Sequence, residues 1–259
     1  MTIREMLRLT SDDIRILTAD IHGYFSLFRM ALEESGYYED DGEKKIIICG
    51  DLFDRGKEAV QLQNCLLSLM ENDEVILIRG NHEDLFHDLV TTDRGLRYGH
   101  HVLNGTFQTA LDLTGYDSVM AEIRHFDFAE AGRKTPFFTR IIPSMPDYYE
   151  TEHYIFVHGW IPCLPGNPPG FDPAWRNSST WKTARRINGM DAADAGITEA
   201  GKTIVCGHWH CSYGHSKYEG ICSEFGPDAD FSPYYAHGII ALDACTSYSG
   251  RVSVVVLED

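Results

Sequence analysis

Cationic side chains are scarce in this sequence: 22 lysines and arginines stand against 39 aspartates and glutamates, a formal net charge of -17. The field of such a molecule repels nucleic acid and anionic membrane surfaces, and without a basic stripe a nuclease is disfavoured. Long apolar runs are missing too. Stretches such as Val252 to Leu257 fall far short of the roughly 20 residues a membrane helix needs. The opening MTIREMLRLTSDD has neither an apolar core nor a small-residue cleavage site, so a cytoplasmic protein is expected. The seven cysteines, odd in number and without CxxC spacing, argue against a disulfide frame or a thiolate zinc site. They are read as reduced, small buried hydrophobes. No linker, repeat or low-complexity tract divides the 259 residues, and one domain is expected.

What is present is a series of short Ile- and Val-rich runs, each followed by a polar turn: Ile14 to Leu17, Ile46 to Ile48, Val75 to Ile78, Tyr154 to Val157, Thr203 to Val205, Ile239 to Leu242 and Val252 to Leu257. These are the strand candidates. Phe25 to Glu34 and Glu58 to Met70 carry apolar residues at helical steps, as in Leu62, Cys65, Leu66 and Leu69. The front half therefore reads β-α-β-α-β, a pattern that makes strands parallel and places a ligand crevice at their carboxyl ends. Leu85 to Glu152 is more helical and polar, and Trp160 to Phe171 is crowded with Pro and Gly, so both are expected to be excursions over the sheet edge. Trp181 to Ala195 is expected to contain a helix, and His210 to Tyr235 to be irregular surface loop. Periodicity by itself supports a layered α/β domain.

The polar residues fall where that crevice should be. The strand ends read Ala19-Asp20-Ile21-His22-Gly23, Gly50-Asp51-Leu52-Phe53-Asp54-Arg55-Gly56, Gly80-Asn81-His82-Glu83, His158-Gly159 and Gly207-His208-Trp209-His210. Taken singly, an Asp or His in such a turn is as well explained as a cap or a satisfied structural residue. Two aspartates and an arginine in one turn are an expensive cluster unless something offsets the repulsion. Carboxylate, imidazole and amide oxygen together suit divalent cations such as Mn, Fe or Zn, and a binuclear centre is the natural assignment.

In this order, GDLFDRG, RGNHE and the closing ALDACTSYSGRVSVVVLED resemble the calcineurin-like metallophosphoesterases, within them the phosphoprotein phosphatase group that includes symmetrical diadenosine tetraphosphate hydrolases. The resemblance runs from about Ile14 onward and is loose from about Asp88 to Glu152. It implies a four-layer α-β-β-α sandwich, two mixed β-sheets flanked by helices. It further implies that Asp20 and His22 bind a first metal, that Asp51 bridges, and that Asn81, His158 and His208 complete the second. His82 matches the catalytic histidine with Asp54 as its partner, and Arg55 the arginine that grips phosphoryl oxygens. His210, a ligand in the wider superfamily, is assigned to the first metal. Arg185 and Arg186 lie near a second phosphate-binding arginine of relatives, without a choice between them. Ala19 stands where relatives have Gly, and Trp160 stands beside His158 where they have a second Gly, so Trp160 is expected to reshape the rim. Seven further histidines, His87, His100, His101, His125, His153, His215 and His237, are read as surface or satisfied structural residues.

The function so implied is two-metal hydrolysis of phosphate monoesters, of a phosphoprotein or a small molecule, by in-line attack of water activated by two divalent ions, Mn before Fe, Zn, Ni or Co. His82 would act as the acid that protonates the leaving group. The alternative is a dinucleoside polyphosphate hydrolase, and a scaffold that has lost activity is the third reading. The partner expected is a phosphorylated substrate, with no nucleic acid and no membrane.

Overall fold

Side chains of a strand point alternately to opposite faces, and in the Lys-Lys-Ile-Ile-Ile run this decides the layers. A computed structural model describes residues 14–39, 44–92, 98–166 and 169–258; the opening segment read for targeting lies outside them. Strands β1 (Ile14–Thr18), β2 (Lys44–Ile48) and β3 (Val75–Leu77) run parallel, and β11 (Val255–Glu258) pairs antiparallel with β1, giving the order β11-β1-β2-β3. A second sheet has the order β4-β5-β8-β10-β9, from Tyr149–Glu150, Tyr154–Phe156, Thr203–Cys206, Ile239–Ala241 and Tyr234–Ala236. Its β5, β8 and β10 are parallel, with antiparallel β4 and β9 at the edges. Strands β6 (Cys163–Leu164) and β7 (Gly170–Phe171) form a separate ribbon.

Three apolar clusters follow from the alternation. Leu17, Ile47 and Ile76 of the first sheet meet Phe156, Val205 and Ile240 of the second, so the sheets pack face to face. Their neighbours Ile16, Ile46 and Ile48 point the other way, against Phe28 and Leu32 of α1 (Phe25–Glu34) and Leu62 and Leu66 of α2 (Ala59–Glu71). Ile155, Ile204 and Ile239 point outward from the second sheet, into a core with Trp160, Trp175, Trp181 and Met190. The result is the expected four-layer arrangement of two mixed sheets between helices.

The excursion after β3 is helical over the described residues. It comprises α3 (Asn81–Thr91), α4 (Tyr98–Asn104), α5 (Thr106–Thr114), α6 (Ser118–Ile123) and α7 (His125–Lys134). Buried Phe107, Ala110, Leu111, Ala121 and Phe128 join it to the first outer core.

Two expectations need correction. The stretch from His210 is not irregular at its start: Cys211–Gly214 and His215–Glu219 are helical, with Cys211, Ser212 and His215 buried. Tertiary bonds hold this segment, including Cys211 N to Asp243 O at 2.8 Å, and no apolar period announces it. Trp181 to Ala195 does contain helix, as two short ones, Trp181–Ala184 and Gly189–Asp194, the second capped by Asn188. Trp160 does not shape a rim. It is 0% exposed, and its Nε1 donates to Ile197 O at 2.9 Å. Of the cysteines, Cys49, Cys206 and Cys211 are buried and the other four half-buried, all of them free. Among the described residues no helix is long and apolar enough to cross a membrane.

Candidate active site

Each parallel strand of both sheets ends on the same side of the molecule, and each hands over a polar residue there. Asp20 follows β1, Asp51 follows β2, Asn81 follows β3, His158 follows β5 and His208 follows β8. The turns that present them are strained. Among the described residues, six of the eight non-glycine residues with left-handed φ are Asp20, His22, Asp51, Asp54, Arg55 and His208. Such conformations cost free energy and persist where surrounding structure dictates them, typically at functional sites. Close approach explains two of the glycines: a Cβ on Gly80 would lie 2.2 Å from Asp51 Oδ1, and one on Gly207 would lie 2.0 Å from Asp20 Oδ2.

Asp51 is the hub. Its Oδ1 accepts from His82 N at 2.9 Å and lies 3.2 Å from His158 Nε2, while its Oδ2 stands 3.7 Å from His82 Nε2 and 4.0 Å from His22 Nε2. Asn81 Oδ1 is 3.0 Å from His158 Nε2, and Asp20 Oδ1 is 4.0 Å from His22 Nε2. The far nitrogens of two imidazoles face backbone carbonyls: His22 Nδ1 lies 3.0 Å from Phe53 O and His158 Nδ1 2.7 Å from Cys49 O. A ring whose Nδ1 donates to a carbonyl turns the lone pair of Nε2 toward the centre, the orientation a metal ligand needs.

The electrostatics fit cations. Asp20, Asp51 and Asp243 are all buried. Burial and the charges of Asp243 and Asp51 push the Asp20 carboxyl well above the usual range. Burial opposes the charge of Asp51 as well, but the imidazoles of His158, His82 and His22 bring its carboxyl well below that range. Burial, with the charges of Arg55 and His82, holds His22 well below the ordinary imidazole value, and burial with His158 takes His208 down to about 4. At His158 burial, which favours the neutral ring, is outweighed by Asp51, so its pKa is raised. Imidazoles, buried carboxylates and an amide oxygen together form a donor set suited to divalent ions. Two groups of donors share Asp51, namely His22 with Asp51 and His82, and Asp51 with His158 and His208, the atoms of each lying within 4.8 Å of one another.

His82 differs from His22 and His158 in the partner of its Nδ1, a carboxylate rather than a backbone carbonyl. Its Nδ1 lies 2.6 Å from Asp54 Oδ2, and burial, which lowers its pKa, is outweighed by Asp51 and Asp54, so that it rises to about 8. Arg55 is exposed, and its charge acts on Asp20 and His22.

Of the residues read from sequence, Asp20, His22, Asp51, Asn81, His158, His208, His82 and Asp54 meet in one place. His210 is outside both donor groups, its Nε2 2.9 Å from Glu224 Oε1. Arg185 is buried and held by Asp84 at 2.8 Å and by Asp147, whereas Arg186 is exposed. Sequence reasoning missed three residues. Glu83 is fully buried and accepts backbone N–H groups from Gly80 at 2.7 Å, Leu52 at 2.9 Å and Asp51 at 3.1 Å, tying the end of β2 to the start of α3. Thr106 donates to Asp54 Oδ2 at 2.6 Å. Asp243 closes β10 as the other aspartates close β1 and β2, but it is flanked by Leu and Ala, so the glycine signal used for the other strand ends is missing.

The family model for calcineurin-like phosphoesterases matches residues 16–229. The chain belongs to that family. Over 74 residues it is 32% identical to the asymmetrical bis(5'-nucleosyl)-tetraphosphatase of Anoxybacillus flavithermus, a match that takes in 26% of this chain and 30% of that one. The chain spans less than a third of the length of the curated relatives it matches. Among solved structures, a cold-active protein tyrosine phosphatase superposes with a TM-score of 0.56 at 16% identity, over 99% of this chain and 78% of that one. A structure described as a putative diadenosine tetraphosphatase gives 0.50 at 15% identity, over 97% and 91%. At such identities the likeness concerns the calcineurin-like fold alone.

Proposed function

We propose that this member of the calcineurin-like phosphoesterases is a two-metal phosphatase hydrolysing phosphate monoesters. The observation that supports this most is the position of Asp51, with three imidazole nitrogens within 4.0 Å of its carboxylate and a fourth ring, His208, in the adjoining donor group. In this reading Asp20, His22 and Asp51 hold one ion, and Asp51, Asn81, His158 and His208 hold the other. His210, engaged by Glu224, is left out of the set. When bound, two divalent ions, Mn foremost for this oxygen- and nitrogen-rich set, bring the pKa of a water toward neutrality and polarise the phosphoryl group.

The chain's own residues supply the rest. Arg55, exposed at the mouth, offers a planar fork to two phosphoryl oxygens. As the ester bond breaks, negative charge grows on the leaving oxygen, and in this reading His82 gives it the Nε2 proton. Asp54 fixes the ring through Nδ1 and stabilises its charged form, and Thr106 fixes Asp54. A cytoplasmic setting belongs to the same reading, with its free thiols.

Hydrolysis of a phosphopeptide, p-nitrophenyl phosphate and diadenosine tetraphosphate by Mn-reconstituted protein tests the proposal. Failure on all three with both ions bound would refute it. The second reading is a dinucleoside polyphosphate hydrolase, favoured by the name of the curated relative. Release of nucleotides from the dinucleotide at a far higher kcat/KM than phosphate from the peptide would select it.

A further inference from the structure

The phosphoryl site described above is flanked by a row of exposed aromatic rings that the proposed chemistry does not use. Trp209, next in sequence to His208, is 36% exposed and stacks on the His210 ring at 6.1 Å and 19°. His210 contacts Phe225 at 4.9 Å, and Phe225 contacts Tyr248 at 5.3 Å, with Phe225 47% and Tyr248 55% exposed. Both ends of the row are anchored to the centre. Trp209 follows a proposed ligand, and Tyr248 sits on the short helix whose Thr246 Oγ1 donates to Asp20 O at 2.7 Å. Large apolar rings left in solvent beside a polar site lose free energy that a planar ligand would recover.

We propose that this row is a nucleobase subsite, so that the substrate is a nucleotide or dinucleotide whose phosphate reaches the aspartate and histidine cluster while its base lies on Trp209 and Phe225; the inference rests on the phosphoesterase reading. Two observations choose a base over the ring of a phosphotyrosine. Hydrogen-bonding groups interrupt the row: Glu224 Oε1 lies 2.9 Å from His210 Nε2, and a carboxylate and an imidazole can serve the polar edge of a base, which a phenyl ring lacks. The protein also carries a net charge of -17, so a polyanion is held only near the cations and Arg55. Stacking does not depend on charge and supplies affinity where the field opposes it.

Trp209 makes the subsite observable, because the other tryptophans, Trp160, Trp175 and Trp181, are 0%, 0% and 7% exposed. AMP titrated into the full-length protein should quench the tryptophan emission saturably, and the quenching should vanish in Trp209→Phe. In Mn-reconstituted protein, Trp209→Ala and Phe225→Ala should each lower the ratio of kcat/KM for AMP or diadenosine tetraphosphate to that for glycerol phosphate by about 5- to 100-fold, the usual range for one stacking contact. Phe225→Ala, remote from the proposed ligands, guards against a loss caused only by damage at His208. A ratio unchanged within about twofold in both variants, or AMP without effect on emission, overturns the subsite. A ratio that falls for a phosphotyrosine peptide and not for AMP overturns it in favour of a protein substrate. Absence of turnover on every ester, glycerol phosphate included, would count against the phosphoesterase reading, while the emission titration still decides the base.

Discussion

Asp54 Oδ2 lies 2.6 Å from Nδ1 of His82 and receives a second hydrogen bond of 2.6 Å from Thr106. The carboxylate is thus fixed from α5 before it orients the ring on α3. If His82 is the acid, His82→Asn should keep both metals and lower kcat by about 10²- to 10⁴-fold for an alkyl phosphate. The loss should be much smaller for p-nitrophenyl phosphate, whose leaving group needs no proton. Steady-state kinetics on the two esters measure this, and equal losses would contradict the acid role. Thr106→Val should act the same way, more weakly.

Asp51→Asn should abolish binding of at least one ion, which elemental analysis of purified protein reads directly. Removal of metal from the unaltered chain should also cost stability, since the buried Asp20, Asp51 and Asp243 would repel without a counter-charge. Each ion at about 100 to 1,000 times its Kd contributes about 3 to 4 kcal/mol. A chelator should therefore lower Tm and added Mn restore it; a Tm indifferent to both would speak against a bound cation.

Glu83 holds three backbone N–H groups with two oxygens. Glu83→Gln replaces one of those oxygens with an NH₂ group that faces donors. The expected cost is about 1–3 kcal/mol for the hydrogen bonding lost at a buried site, together with weaker metal affinity because Asp51 and Asn81 are no longer pinned. Urea denaturation and metal titration of the same variant test both halves; a change in neither would make Glu83 a bystander.

Away from the site, Arg176 grips Glu150 through two nitrogens at 2.6 and 2.9 Å and lies 4.2 Å from the Trp175 ring centroid. The bond from Arg176 lowers the Glu150 carboxyl below its ordinary value. A depressed carboxyl contributes stability that is complete above its unfolded value and is lost as pH falls through the folded one. Arg176→Met should therefore cost about 1 kcal/mol at pH 7, and the difference from the unaltered chain should shrink on acidification below the carboxylate range. Denaturation curves at several pH values would show it, and a pH-independent difference would assign the effect to packing on Trp175.

The sequence alone was enough to locate seven of the eleven strands among the described residues, because Ile and Val runs followed by a polar turn are a local signal, whereas the short strands β4, β6, β7 and β9 carry no such run. The seven runs read from it, beginning with Ile14 to Leu17, each overlap a strand. The same signal pointed to Asp51, Asn81, His158 and His208, each a polar residue beside glycine at a strand end, and the strand end alone pointed to Asp20. What tertiary structure decided depends on partners distant in the chain. Trp160 reads as an obstacle beside His158, yet the space left by Gly189, whose Cβ would lie 2.8 Å from Trp160 Cε3, lets it turn into the outer core. Glu83 serves N–H groups about thirty residues away, Asp243 reaches the carboxylate cluster only because β10 lies beside β8, and His210 is claimed by a glutamate fourteen residues on. Local periodicity and turn chemistry place backbone; which buried charge faces which is set by how the two sheets stack, a property no single segment carries.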